Sequence, residues 1–280
     1  MKRIWNTVWI KEYLDLLKKA EKSDGTIEKY SHDLNTFGDF IGEGNTFYKE
    51  DVIAYKEQLL QRYAVTTVNS MLTVLNGFFA SMGWSELRVK LMKIQRRVFR
   101  DKKKDLTRDE YFRLLRIAES KGNRRLAMIM QTICGTGIRI SELQYITVES
   151  IYTGQTEVNC KGKRRIILLP KKLKTALRRY AKEYRITSGS LFTTRTGQPL
   201  NRSNVWKDMK RLCERAGVDP HKVFPHNLRH LFAKTFYNLE RDIAKLADVL
   251  GHSNIETTRL YIMESGSNHE RLINRMELIL

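Results

Sequence analysis

PHNLRHLFAKTFYNLERDIAKLADVLGHSNIETTRLY, residues 225–261, reads as two helices and the start of a third. Residues 226–239 and 242–250 follow the helical pattern, with His226 and Arg229 three apart and therefore on one helical face. Ser253-Asn-Ile-Glu256 has the spacing of a capping box, so a third helix is expected just after His252. That helix would point its first amides and its positive dipole end at whatever lies beside His252, a place suited to a phosphate. Tyr261 falls in the later turns of the same helix.

Upstream of this stretch, the pattern is helical over residues 171–184 and 203–216. It is preceded by two short strands, 156–160 and 165–169, joined by a Lys-Gly turn. The hairpin carries Lys161, Lys163, Arg164 and Arg165. Thr107-Arg-Asp-Glu110 is a capping box that opens a domain, and helices follow to about residue 134. Before it, residues 90–104 (KLMKIQRRVFRDKKK) combine dense positive charge with few side chains able to form a core. They read as a basic linker, either a solvated loop or part of a clamp around a duplex.

Residues 8–82 repeat apolar side chains at three and four, most regularly in Val68, Met71, Leu72, Leu75, Phe78, Phe79 and Met82. The expected division is a helical domain over 1–90, the linker over 91–104 and a second domain over 105–280. The expected fold class is mainly α with a small β-sheet: an N-terminal helical bundle followed by a mixed α+β domain.

The chain has a formal charge of +20, from 51 Lys and Arg against 31 Asp and Glu. A surface this positive calls for an anionic partner, nucleic acid first and anionic lipid second. Three cysteines, Cys134, Cys160 and Cys213, form no paired metal-ligand spacing and suggest free thiols in a reducing compartment. With no apolar run long enough for a membrane span and no signal-peptide layout, a cytoplasmic protein without a membrane partner is expected.

Four separated segments hold side chains with chemistry: Thr136-Gly-Ile-Arg139-Ile-Ser-Glu142-Leu, Cys160-Lys161-Gly-Lys163, His226-Asn-Leu-Arg229-His230, and Leu250-Gly-His252-Ser through Tyr261. In this order and spacing they resemble the tyrosine recombinase, or phage integrase, family, in its Xer-like form. The family signature is Arg, Lys, His-x-x-Arg, His and a nucleophilic Tyr. The resemblance covers the C-terminal half from about residue 103, and the N-terminal half is similar to the family's SAM-like core-binding domain.

The resemblance implies a site-specific DNA recombinase that cuts and rejoins strands by transesterification through a 3′-phosphotyrosine, with Tyr261 as nucleophile. It implies Arg139 and Arg229 on the phosphate, His226 as general base or acid, and His252 hydrogen-bonded to the phosphate. Lys161 would protonate the departing 5′ oxygen, with Lys163 as the alternative. Glu142 would orient an arginine or the lysine, and His230 would support the site or pack. Physically, a phosphorane needs its extra negative charge held, and two guanidinium forks can do this without metal ions. No metal and no cofactor are therefore expected. His226 and His230 are four apart, but they lack the glutamate and third ligand of a zinc site, and Arg229 between them would repel the ion. Gly135-Thr-Gly137 lacks a preceding strand and reads as a helix stop.

The expected partner is a double-stranded DNA site with inverted half-sites. It would be contacted by Lys163, Arg164, Arg165, Arg96, Arg97, Lys102, Lys103 and Lys104, and held by a homo-tetramer on two duplexes, one dimer per site. An amphipathic segment over 269–280 would dock on a neighbouring protomer or pack on its own domain. The chain begins directly with the helical domain, so no arm-site-binding module is expected, which favours a compact resolvase-like or mobile-element recombinase. The alternatives are a non-cutting DNA-binding relative and a type IB topoisomerase-like enzyme.

Overall fold

In the computed structural model, residues 3–94, 104–160, 163–194 and 196–262 are described. The chain divides into two compact units, Met1–Arg96 and Arg97–Leu280. Among the described residues no helix is long and apolar enough to cross a membrane.

The first unit contains α1 (Val8–Lys19), α2 (Asp24–Ile41), α3 (Lys49–Arg62) and α4 (Val65–Ser81). A two-residue antiparallel pair, β1 (Arg3–Ile4) with β2 (Thr46–Phe47), ties the chain start to the α2–α3 connection, a pairing too short to leave a period in the sequence. The six stripe positions on α4 are buried, and the seventh, Met82 just past its end, is packed partly against the same core. Trp5 is buried too, its indole edge-on to Phe37 at 5.1 Å and to Phe78 at 5.7 Å. Gly38 on α2 makes room for that indole, because a Cβ there would run into Trp5 Nε1. The exit from the unit is fastened by two side-chain amides. Asn76 exchanges hydrogen bonds with the backbone of Val89 (2.8 and 2.9 Å) and Asn69 with that of Met92 (2.8 Å each).

The second unit opens at Thr107, whose hydroxyl accepts from Glu110 N (3.2 Å) while the Glu110 carboxylate accepts from Thr107 N (2.8 Å). This reciprocal cap starts α5 (Arg108–Ser120), followed by α6 (Arg124–Thr136). A 3-10 helix (Ile140–Tyr145) and α7 (Val148–Thr153) lead into β3 (Gln155–Cys160) and β4 (Lys163–Leu168), an antiparallel hairpin within two residues of the expected one. Then come α8 (Lys171–Glu183), α9 (Arg202–Ala216), a 3-10 turn (Pro220–Lys222), α10 (Pro225–Glu240), α11 (Ile243–Leu250) and α12 (Ile255–Ile262).

The main core runs from Leu106 on α5's approach to Leu228 on α10. A satellite cluster of Ala233, Leu246, Leu250 and Tyr261, with Phe232, Phe236, Tyr237 and Ile262 against it, seats α12 on α10 and α11. Two glycines set the geometry there. Gly137, at φ 67°, ends α6, and a Cβ on it would meet the Phe232 ring. Gly251, at φ 65°, ends α11, and a Cβ on it would meet the Arg165 side chain.

The start of α12 differs from the expectation. Asn254, not Ser253, caps it, its Oδ1 accepting from Glu256 N at 2.8 Å. The Asn carboxamide reaches the amide two residues on, a local bond that displaces the wider Ser253–Glu256 box.

Candidate active site

A cleft of about 850 Å³ on the second unit is lined by Arg139, Arg229 and His226, together with Arg202, Ser203, Trp206, Lys210 and His221. Three distant stretches line it: the turn after α6, one face of α9, and the approach to α10 with its first turns.

Arg139 stands at the N-cap of the 3-10 helix. With three residues per turn, that helix sets Glu142 under it. The Glu142 carboxylate, 1% exposed, accepts from Arg139 N (2.7 Å) and Arg139 Nη1 (2.9 Å), and also from Arg165 Nη2. Burial alone would raise the pKa of Glu142, but the Arg139 amide and the charges of Arg165 and Arg139 prevail and hold it below the usual carboxylate range. Arg139 keeps 38% of its side chain exposed toward the cleft.

Arg229 is 2% exposed. Its Nη1 donates to Gly137 O (2.5 Å), and its Nη2 donates to Leu250 O (2.8 Å) and contacts His252 Nε2 (2.9 Å). The left-handed turn at Gly137 and the end of α11 thus aim two orphan carbonyls at one guanidinium. Burial, then the neighbouring Arg139 charge, lower the Arg229 pKa to about 10, while the Tyr261 hydroxyl raises it; Arg229 stays charged at neutral pH.

His252 uses both ring nitrogens. Arginine only donates, so Nε2 accepts from Arg229, and Nδ1 carries the proton that it gives to Thr258 Oγ1 at 2.9 Å. Burial, followed by the charges of Arg229, Arg139 and Arg165, lowers its pKa to about 4, so the ring is neutral. In this arrangement His252 braces Arg229 through Nε2 and is itself held by Thr258.

Tyr261 is 6% exposed, and three imidazoles surround its ring. The centroids lie at 5.3 Å for His226, 5.5 Å for His230 and 5.4 Å for His252. His226 is exposed at the cleft, whereas His230 is buried and stacked on Tyr261 at 23°.

The basic residues read as DNA contacts separate. Arg164 is 76% exposed on β4 and Lys104 is exposed. Arg165 is not a surface contact: strand alternation turns it inward, to 11% exposed, where it meets Glu142 and Val249 O (2.7 Å). Lys161, Arg96, Arg97, Lys102, Lys103 and the segment 269–280 lie outside the described residues, as does the Lys163 side chain.

Sequence reasoning missed Thr258, Asn227 and Asp105, all buried, and the α9 rim of the cleft. The rim had a signal: Arg202, Trp206 and Lys210 recur at four, a polar-aromatic face in which Trp206 is 43% exposed with Lys210 5.3 Å over its ring.

Residues 104–267 match the phage integrase family, and residues 10–85 match its N-terminal SAM-like domain. The chain belongs to the phage integrase family. It is 26% identical to tyrosine recombinase XerA of Pyrococcus furiosus over 278 residues, 96% of this chain and 94% of that protein. Its fold is similar to that of a lambda integrase dimer bound to a COC′ core site, with a TM-score of 0.75 at 17% identity, covering 95% of this chain and 97% of that one. A lambda integrase tetramer bound to a Holliday junction gives 0.72 at 18% identity, covering 91% and 76%.

Proposed function

We infer that this protein is a tyrosine site-specific recombinase acting on double-stranded DNA, with Tyr261 as its nucleophile. The observation that carries this reading is the single cluster formed by Tyr261, its three imidazoles and Arg229, beside a cleft that Arg139 also lines. The family membership and the net charge of +20 support a DNA substrate.

In the proposed reaction the Tyr261 oxygen attacks a DNA phosphorus. The bond to the 5′ oxygen breaks, leaving a 3′-phosphotyrosine and a 5′-hydroxyl, and a partner strand's hydroxyl reverses the step. Bond energy is kept in the covalent link. Arg139 and Arg229 hold the non-bridging oxygens as charge builds on the phosphorane. His226, exposed beside the phenol, takes its proton. Lys161 is the general acid for the leaving oxygen on the strength of the family resemblance, with Lys163 as its alternative. Glu142 positions Arg139, and His252 with Thr258 positions Arg229. Outward-facing Arg164 and Lys104 suit phosphate contact, as do Arg202 and Lys210 along the cleft.

The lambda integrase dimer bound to a COC′ core site and tetramer bound to a Holliday junction support the proposed dimer on each site and tetramer on two duplexes. The same chemistry serves integration, excision or resolution, according to the sites supplied.

A nicked suicide duplex carrying the cognate site tests this reading. The parent chain should form a covalent adduct, and Tyr261→Phe should bind the same DNA and form none. Adduct formation by Tyr261→Phe would remove Tyr261 from the role. Binding without adduct by the parent would leave a DNA-binding relative, and plasmid relaxation without exchange between two sites would favour a topoisomerase-like activity.

A further inference from the structure

We propose that Asp105, where the chain enters the second unit, is a positioning residue for Tyr261 that acts through His230; this rests on the recombinase reading above. Asp105 is 6% exposed. One carboxylate oxygen accepts from Lys234 Nζ at 2.8 Å, and the other lies 3.8 Å from His230 Nδ1. His230 and Lys234 are one turn apart on α10, so a single carboxylate holds Lys234 and lies beside His230 on the helix that also carries His226 and Arg229.

The same entry point is fastened a second time. Asn227, 1% exposed, donates through Nδ2 to Lys104 O (3.0 Å) and Lys222 O (2.8 Å). The peptide at 104–105 is thereby fixed to the face of α10 next to the cleft.

An imidazole can offer a nitrogen at its edge while its face meets another ring. His230 does both here: its Nδ1 lies 3.8 Å from the Asp105 carboxylate, and its face stacks on Tyr261. Burying a carboxylate costs solvation that a lysine still one-third exposed does not need in order to find a partner. That cost is understandable if the carboxylate fixes the ring plane against which the nucleophile rests. In-line attack tolerates little error in the phenol's direction, and small misplacements of a reacting group carry large rate penalties.

The test uses the full chain and a nicked suicide duplex at saturating concentration. Asp105→Asn should slow adduct formation about ten- to a hundredfold, the usual penalty for loosening a group that orients a reacting one, with DNA affinity unchanged. In a His230→Phe background, the same substitution should slow it no further. Lys234→Met, which removes the ion pair but leaves Asp105 beside His230, should keep the parent's rate.

A second readout needs no cleavage. In protein labelled with 13C at the tyrosine ζ carbon, the Tyr261 resonance, identified by its loss in Tyr261→Phe, should move in Asp105→Asn while the other tyrosines stay in place. If Asp105→Asn does not fold, Asp105→Glu, which keeps the charge but displaces the carboxylate, should move the same resonance.

The inference is overturned if Asp105→Asn cleaves like the parent, if its effect multiplies with that of His230→Phe, if Lys234→Met reproduces it, or if the resonance does not shift. A parent chain that forms no adduct would count against the recombinase reading instead, and the resonance would still decide the role of Asp105.

Discussion

The two units are stabilised by different means. Among the described residues of the first unit, one polar side chain is buried, Asp33, within a core of Trp5, Phe37, Phe47, Phe78, Phe79 and their aliphatic neighbours. The second unit buries Asp105, Glu142, Asn227, Arg229, His230 and Thr258, among others. Packing in the first unit fixes a shape, and its buried residues should report on stability alone. In the second, stability and reactivity depend on the same atoms: Arg229 ties Gly137 O and Leu250 O together while lying against Tyr261.

Substitutions in each unit can break or sharpen that contrast. The largest effect is expected from Phe37→Ala, which empties a site whose ring meets Trp5 at 5.1 Å and Tyr55 at 5.0 Å. Urea unfolding should show a loss of about 3–5 kcal/mol, while folded protein at saturating DNA forms adduct at the parent's rate. A slowed reaction in that variant would end the distinction between the units.

Arg229→Lys should instead slow adduct formation about 10²–10³-fold, equivalent to about 2.7–4 kcal/mol in the barrier. An ammonium cannot copy the planar fork that reaches Gly137, Leu250 and His252 together. Single-turnover rates with the suicide duplex measure this, and an unchanged rate would remove Arg229 from the chemistry.

Thr258→Val keeps the volume but deletes the partner of His252 Nδ1. The expected cost is about 1–3 kcal/mol of stability, with a slower reaction beside it because His252 then braces Arg229 less firmly. A loss of stability with no change in rate would make Thr258 a packing residue like those of the first unit.

The smallest effect concerns pH. The unfolded chain protonates His252 near 6.5, whereas the folded ring, depressed by burial first and by Arg229 next, resists until about 4. The unfolded state therefore binds more protons in that window, and stability falls as pH drops from about 6.5 toward 4. The ring is partly exposed, so solvent screening keeps the effect modest. His252→Asn should flatten this part of the melting-temperature curve, and an identical slope in the variant would assign the acid sensitivity elsewhere.

Much of this protein was legible without coordinates, because periodicity, caps and turns act over a few residues. The α4 stripe, the Thr107–Glu110 cap, the hairpin and the helix stop at Gly137 each depend on neighbours in sequence. The order of the arginine, histidine and tyrosine motifs singled out Arg139, His226, Arg229, His252 and Tyr261, which the fold brings to one place.

Tertiary structure alone decided which way the charges face. The packing of Gly251 and the buried Glu142 carboxylate hold Arg165 inward, and the end of α11 brings His252 onto Arg229. Asp105 meets His230 across 125 residues of chain, a separation over which no local pattern operates. Whether a charged side chain is solvated or buried against a partner depends on what the rest of the chain brings beside it, and that is set only when the core closes.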